Sequence, residues 1–179
     1  METDWVVGQV LEALDRNELA KNTIVIFTAD NGCSPAAKIP NLVEQGHKPN
    51  GNWRGHKADI FEGGHRTPFL VRWPDKVEAG STSSQTICTT DLFATIADVL
   101  GKSAAIPANA AEDSFSFLPA LLGQAQTKAM ARPFTIHHSP LTKKSPKSAI
   151  RQTAPPSVHK TPRTPAHGNA RAAARTPCP

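Results

Sequence analysis

An α/β fold, a partial doubly wound core with a largely parallel sheet followed by a disordered basic tail, is predicted by three features of this 179-residue chain. Helical and strand-like segments alternate through its first two-thirds, the order expected of a sheet flanked by helices. The run Thr23-Ile24-Val25-Ile26-Phe27-Thr28 is β-branched and apolar without polar alternation, which suits a strand buried on both faces of a parallel sheet. Beyond Gly123 the composition changes abruptly. Residues 1–123 carry a net charge of −5, whereas residues 124–179 carry +10 with no acidic residue and hold nine of the sixteen prolines. Such a segment buries too little apolar surface to offset chain entropy, so disorder is expected there.

The elements follow in order. Thr3 or Asp4 can cap an opening helix whose Val7, Val10, Leu11 and Leu14 share one face. The strand over Thr23–Thr28 comes next. Phe69-Leu70-Val71-Arg72-Trp73 reads as a second strand, ended by Pro74. Thr90–Leu100 reads as a helix with Leu92, Ile96 and Val99 at core spacing and Gly101 as its left-handed cap. Asp113–Gly123 reads as a loop and a short helical turn that serve packing.

Asp30-Asn31-Gly32 lies just beyond the first strand, where open α/β sheets bind ligands. A carboxylate beside a side-chain carbonyl offers two oxygens, a donor set for Ca²⁺ or Mg²⁺ rather than the imidazole-rich set of Zn²⁺. The same tripeptide also fits an Asn-Gly turn, because both residues tolerate positive φ. Downstream, Arg54-Gly55-His56-Lys57 and Phe61-Glu62-Gly63-Gly64-His65-Arg66-Thr67-Pro68-Phe69 place glycines and cations between the two strands.

Together with Val7-Gly8-Gln9-Val10, Thr28-Ala29-Asp30-Asn31-Gly32 and Arg72-Trp73-Pro74, these segments resemble the sulfatase family of the alkaline phosphatase superfamily. The resemblance implies a fragment of an alkaline-phosphatase-like sulfatase core. It implies that Asp30 and Asn31 ligate an active-site Ca²⁺ (or Mg²⁺) and that Lys57 contacts the sulfate of a sulfate-ester small molecule or sulfated glycan. Charge accumulates on sulfuryl oxygens during ester cleavage, so a dication and a fixed ammonium would stabilise it. His47 and His56, close to Lys57 in sequence, are candidates for lining the substrate mouth. With His65 they match no zinc spacing.

The chain departs from the family pattern at the nucleophile. Family members use a formylglycine made from the cysteine of a C-x-P-x-R or similar motif, and no such motif occurs here. Cys33-Ser34-Pro35-Ala36-Ala37 has Ala37 where arginine is required and follows the metal pair, so Cys33 is read as a decoy. The family's other metal aspartates and basic residues would lie upstream. The expectation is therefore a truncated, inactive chain: residues 1–123 a partial sulfatase domain, 124–152 the remnant of the approach to a carboxy-terminal subdomain, and 153–179 a low-complexity or frame-shifted tail.

Arg132–Ser139 and Ala149–Gln152 resemble that approach, and the likeness stops at Thr153. Cys33, Cys88 and Cys178 form no disulfide pattern, so the residues fix no compartment, although the resemblance implies a periplasmic or extracellular one for a full-length member. No membrane span is expected. Two alternatives are a metal-dependent phosphatase or phosphodiesterase of similar plan, disfavoured by Asn31 in place of histidine, and a non-catalytic protein binding through its tail. The tail lacks the aromatic residues of a nucleic-acid module, so no nucleic acid is expected as partner.

Overall fold

A computed structural model describes residues 2–124, 132–138 and 148–152. The first helix, α1 (Glu2–Arg16), begins before Thr3 and Asp4, so neither caps it. Both instead lie in the first turn, where a carboxylate complements the helix dipole. Val7, Leu11 and Leu14 are half-buried on the face predicted, while Val10 is exposed. The helix closes with Leu19 N donating to Leu14 O at 2.9 Å across Glu18, whose φ of 57° is the left-handed conformation that ends many helices.

Strands β1 (Val25–Thr28) and β2 (Phe69–Arg72) pair antiparallel, in the register Val25↔Arg72 to Thr28↔Phe69. The α/β class stands, but this pair does not supply the parallel neighbour expected of β1, and the residues of β1 are half-buried rather than buried on both faces. Antiparallel pairing has a direct consequence for function. Residues just after Thr28 must lie beside residues just before Phe69, so the segment following β1 meets the short helix α3 (Glu62–His65). Arg72 at the end of β2 also donates to Asp15 Oδ1 of α1 at 3.1 Å.

Between the strands run α2 (Ile39–Glu44) and the glycine-rich loop, and after them α4 (Asp91–Val99) and α5 (Leu118–Leu121). Gly101 follows α4 with φ 62°, the left-handed cap predicted. The buried face of α4 is only partly the predicted one: Leu92 and Val99 are half-buried. Ile96 is 51% exposed and Phe93 is exposed too, whereas Asp91 and Thr95, four residues apart, are buried. Thr95 Oγ1 donates to Asp91 O at 2.7 Å and accepts from Phe117 N at 3.1 Å. Polar satisfaction decides the helix orientation here.

Phe117 meets Phe69 of β2 edge-on, with ring centroids 5.5 Å apart. Phe117 and Ile60 are buried, as is Pro119 of α5. Strands β3 (Phe134–His138) and β4 (Ser148–Gln152) form an antiparallel pair from Phe134↔Gln152 to His138↔Ser148. This corrects the expectation that everything after Gly123 lacks stable structure. The cause is local: Thr135 is buried, five residue pairs share a ladder, and the adjacent Arg132 is buried in an ion-pair network. Residues 153–179, the predicted disordered tail, lie outside the described residues.

Candidate functional site

Three stretches of main chain meet beyond β1. Gly32 N donates to Gly64 O at 2.9 Å, Gly63 N donates to Arg54 O at 2.7 Å, and Lys57 N donates to Cys33 O at 3.0 Å. Their closeness requires glycine. A Cβ at Gly32 would lie 1.8 Å from Gly63 O, and one at Gly63 or Gly64 would lie 2.2 Å from the carbonyl oxygen of Gly55 or Asp59. Neither Asn31 nor Gly32 has a positive φ, so the Asn-Gly turn does not account for this tripeptide. Gly32 is needed for close backbone approach instead.

Asn50 completes the framework. Its Oδ1 accepts from Cys33 N at 2.9 Å and its Nδ2 donates to Gly55 O at 3.0 Å, joining the segment after β1 to the Arg54-Gly55 loop. The Pro49-Asn50-Gly51 turn chemistry is visible in the sequence, but its side-chain partners, 17 residues away in one case, are not. Cys33 contributes through its backbone; its half-buried thiol only approaches Ser34 O at 3.6 Å.

The framework brings Asp30, Asn31 and Lys57 into one neighbourhood through Gly32 and Cys33. Asp30 and Lys57 are exposed and Asn31 is half-buried. Asn31 Nδ2 donates to Gly32 O at 3.1 Å. The chemistry of this pair fits a hard cation, but two side chains fall short of the roughly 6–8 oxygens that Ca²⁺ takes. Among the described residues no group of three or more His, Cys, Asp or Glu could hold a metal.

The histidines separate. His47 is exposed at the end of α2, where its N–H donates to Leu42 O at 2.8 Å. His56 N donates to Asp59 Oδ2 at 3.0 Å, and His56 Nδ1 lies 3.0 Å from Lys57 O, so the ring steadies the lysine's own loop. His65 stacks on His137 of β3 at 3.6 Å with its Nε2 3.1 Å from Ile60 O, which ties the glycine turn to the β3–β4 pair. Burial, opposed by the Ile60 carbonyl and aided by nearby Arg66, holds His65 below the usual imidazole pKa; burial and then the His65 charge do the same to His137.

A second charged cluster escaped the sequence reading. Arg132 grips Asp91 through both carboxylate oxygens, Nη2 to Oδ1 at 2.7 Å and Nε to Oδ2 at 3.2 Å, and its Nη1 donates to Asp113 Oδ1 at 2.8 Å. Asp91 also accepts from Cys88 N and Phe115 N, both at 2.8 Å. Asp91 and Arg132 are 1% and 2% exposed. Burial alone would lower the Arg132 pKa, but the hydrogen bonds to Asp91 and Asp113 outweigh it and push it up. Burial likewise pushes the Cys88 thiol up. Forty-one residues separate Arg132 from Asp91, and no local spacing announces the pair.

Comparison with known proteins converges on one family. The Sulfatase family model matches residues 1–102. Steryl-sulfatase of Rattus norvegicus is 41% identical over 125 residues, covering 70% of this chain and 21% of that protein. N-acetylgalactosamine-6-O-sulfatase of Bacteroides thetaiotaomicron is 37% identical over 130 residues, 71% of this chain and 25% of that protein. A solved structure described for glycosaminoglycan metabolism in Bacteroides thetaiotaomicron superposes with TM-score 0.69 at 32% identity, over 84% of this chain and 30% of that one. Another, in complex with its substrate D-glucosamine-2-N,6-O-disulfate, gives TM-score 0.58 at 25% identity, over 82% and 27%. The chain thus spans about a fifth to a quarter of the length of the curated relatives, its fold is that of the alkaline-phosphatase-like sulfatases, and it belongs to the sulfatase family.

Proposed function

We propose that this chain carries the cation-binding and sulfate-binding part of a sulfuric ester hydrolase. The observation that supports it most is the hydrogen bond from Lys57 N to Cys33 O, which holds the lysine's loop against the segment bearing Asp30 and Asn31. Asp30 Oδ and Asn31 Oδ1 would hold Ca²⁺, or Mg²⁺, and the bound cation would draw charge from a sulfuryl oxygen. Lys57 then places a mobile ammonium beside the same group. A lysine suits this because its compact charge follows a tetrahedral sulfate as the geometry changes. The glycine-packed backbone beneath it costs no side-chain rearrangement when charge develops, which is the condition for electrostatic stabilisation.

The substrate is a sulfate ester. The relatives include steryl-sulfatase and N-acetylgalactosamine-6-O-sulfatase, and structural neighbours are complexes with D-glucosamine-2-N,6-O-disulfate and with neocarrahexaose, which supports a sulfated sugar or a related small ester. His47 and His56 are proposed to edge the mouth of that site. Among the described residues no helix is long and apolar enough to cross a membrane. The sequence holds no C-x-P-x-R motif from which the family's nucleophile is made, so the 179-residue chain by itself should bind sulfate esters without turning them over.

Calorimetric titration tests the assignment. Ca²⁺ should bind weakly and the heat should vanish in Asp30→Ala; a chromogenic aryl sulfate should bind the chain and lose affinity in Lys57→Ala. Tight Ca²⁺ binding that survives Asp30→Ala would overturn the metal assignment, and turnover lost in Cys33→Ala would overturn the decoy assignment of Cys33.

A further inference from the structure

The Asn50 carboxamide grips the backbone on both sides of the proposed site. Cys33, whose N–H donates to Asn50 Oδ1 at 2.9 Å, stands two residues after Asn31. Gly55, whose carbonyl accepts from Asn50 Nδ2 at 3.0 Å, stands two residues before Lys57. We propose that Asn50 is a positioning residue: its carboxamide fixes the spacing between the cation held at Asp30 and Asn31 and the Lys57 ammonium, so that both meet one sulfate. This rests on the sulfate-ester function above and goes further in naming the side chain that makes the two parts of the site act together.

A carboxamide suits this double task. The Cys33 N–H needs an acceptor and the Gly55 carbonyl needs a donor, and the amide of asparagine supplies one of each on a single planar group. An aspartate would face the Gly55 carbonyl with a second acceptor, and an apolar side chain would supply neither partner. The carboxamide is itself held in place. Asn50 is half-buried, its own carbonyl accepts from Trp53 N at 3.1 Å, and the preceding turn is closed by Gly51 N donating to Lys48 O at 2.9 Å. Its Oδ1 would lie 3.3 Å from a Cβ on Gly32, so the amide also packs against the residue that follows Asn31.

The neighbouring links across the site are main chain to main chain, Lys57 N to Cys33 O at 3.0 Å and Gly32 N to Gly64 O at 2.9 Å. With its N–H bonded to Asn50 and its carbonyl to Lys57 N, Cys33 has both polar groups pinned to the lysine's loop. One hydrogen bond is a pivot, whereas two restrain a slide of one segment past the other. The consequence is chelation. A sulfate that reaches a cation and an ammonium at once gains from both, and the gains multiply. Where the two groups drift apart, the sulfate takes one or the other at a time and the gains only add.

Calorimetry on the full 179-residue chain can measure the affinity for para-nitrophenyl sulfate with and without excess Ca²⁺ at matched ionic strength, in the wild type, Asn50→Ala, Asn50→Asp and Asn52→Ala. In the wild type Ca²⁺ should tighten the aryl sulfate about ten-fold, and by linkage the aryl sulfate should tighten Ca²⁺ by the same factor. Asn50→Ala should cut that factor to about two-fold, the additive limit for two groups of similar strength, while Ca²⁺ affinity without sulfate changes less than about two-fold. Asn50→Asp, which keeps the acceptor for Cys33 N and loses the donor to Gly55 O, should give an intermediate factor. Asn52, exposed on the same loop, should leave the factor as in the wild type when replaced by alanine. A structural role alone would weaken each ligand separately and leave the factor unchanged. A wild-type factor retained in both Asn50 variants, or lost equally in Asn52→Ala, would overturn the positioning role and leave the sulfate-ester function intact. Aryl sulfate binding that Ca²⁺ does not tighten in the wild type would do the same. If Asn50→Ala alone fails to fold, Asn50→Asp decides; loss of folding in both would make Asn50 a purely structural residue and overturn the role. If the wild-type chain binds no aryl sulfate, the sulfate-ester function itself fails, and the positioning role with it.

Discussion

Two halves of this chain are assembled by opposite means. From Asp30 to His65, main chain packs on main chain, with glycines removing the side chains that would hold the segments apart and amides such as Gly32 N and Gly63 N donating across the gaps. From Cys88 to Phe134, the organiser is one buried guanidinium that reaches Asp91, Asp113 and the Thr90 hydroxyl. The first arrangement leaves the Asp30 carboxylate and the Lys57 ammonium exposed on a closely packed backbone. The second spends its charges on each other. Under the proposed function, a charge meant for substrate is left exposed on a framework that does not need it, whereas a charge meant for structure is neutralised inside.

Removing Arg132 should break that contrast most severely. Arg132→Met leaves Asp91 buried with two backbone amides but no counter-charge, and breaking a buried pair costs about 3–5 kcal/mol. Chemical denaturation should show this loss. Adding Asp91→Asn should recover more than half of it, because the amide keeps an acceptor and carries no charge. If the double variant is no more stable than the single one, the lost contacts rather than the stranded charge hold this half together.

The corresponding break in the glycine half is Gly32→Ala. The new Cβ would lie 1.8 Å from a main-chain oxygen, and backbone cannot swing aside as a side chain can. Overpacking costs about 1–3 kcal/mol, and this site belongs at the upper end of that range. The substitution should also weaken Ca²⁺ and aryl sulfate binding, since the Asp30-Asn31 segment is displaced. Unchanged stability with unchanged binding would mean that the close approach is not needed.

The two halves also differ in how much the sequence disclosed. Gly32, Gly63 and Gly64 stand within short, recognisable motifs, and antiparallel pairing of Thr28 with Phe69 then forces those motifs together. Fold class, β1, β2 and α4 with its Gly101 cap were therefore readable, whereas the antiparallel pairing that brings the segments of Asp30, Asn31 and Lys57 together was not. What periodicity hid was polar. It turned Ile96 toward the core, whereas Asp91 and Thr95 are the buried residues because Arg132 and Phe117 N complete their hydrogen bonds from far along the chain. The β3–β4 pair was hidden for the same reason: composition reports an average, and one buried arginine anchors a segment whose average is disordered.

Gly101→Ala sharpens the comparison from a position belonging to neither organiser. Its φ of 62° places an L side chain in the left-handed region, at a cost of about 1 kcal/mol. No atom lies within 4 Å of a Cβ there, so the only cost is the backbone strain introduced. The melting temperature should fall slightly while ligand binding stays as in the wild type. A loss equal to that of Gly32→Ala would show that strain, not close approach, dominates both.

The smallest effect should come from the seam between the halves, where His65 of the glycine turn stacks on His137 of β3. Both imidazoles are held below the ordinary value of 6.5, chiefly by burial, with Arg66 and the neighbouring ring adding repulsion. A group whose folded pKa is depressed binds its proton more readily when unfolded, so the contribution of the stack is complete above about pH 6.5 and is lost as pH falls below it. Each ring is only half-buried, so solvent screens the penalty. Amide exchange in β3 should quicken between pH 7 and pH 5, after correction for intrinsic rates, while exchange at the Gly32 and Gly63 amides changes less. His137→Phe keeps a stacking partner that cannot be protonated and should reduce the pH dependence. Slower exchange in β3 at pH 5, or pH dependence undiminished in His137→Phe, would show that the stack does not couple the two halves.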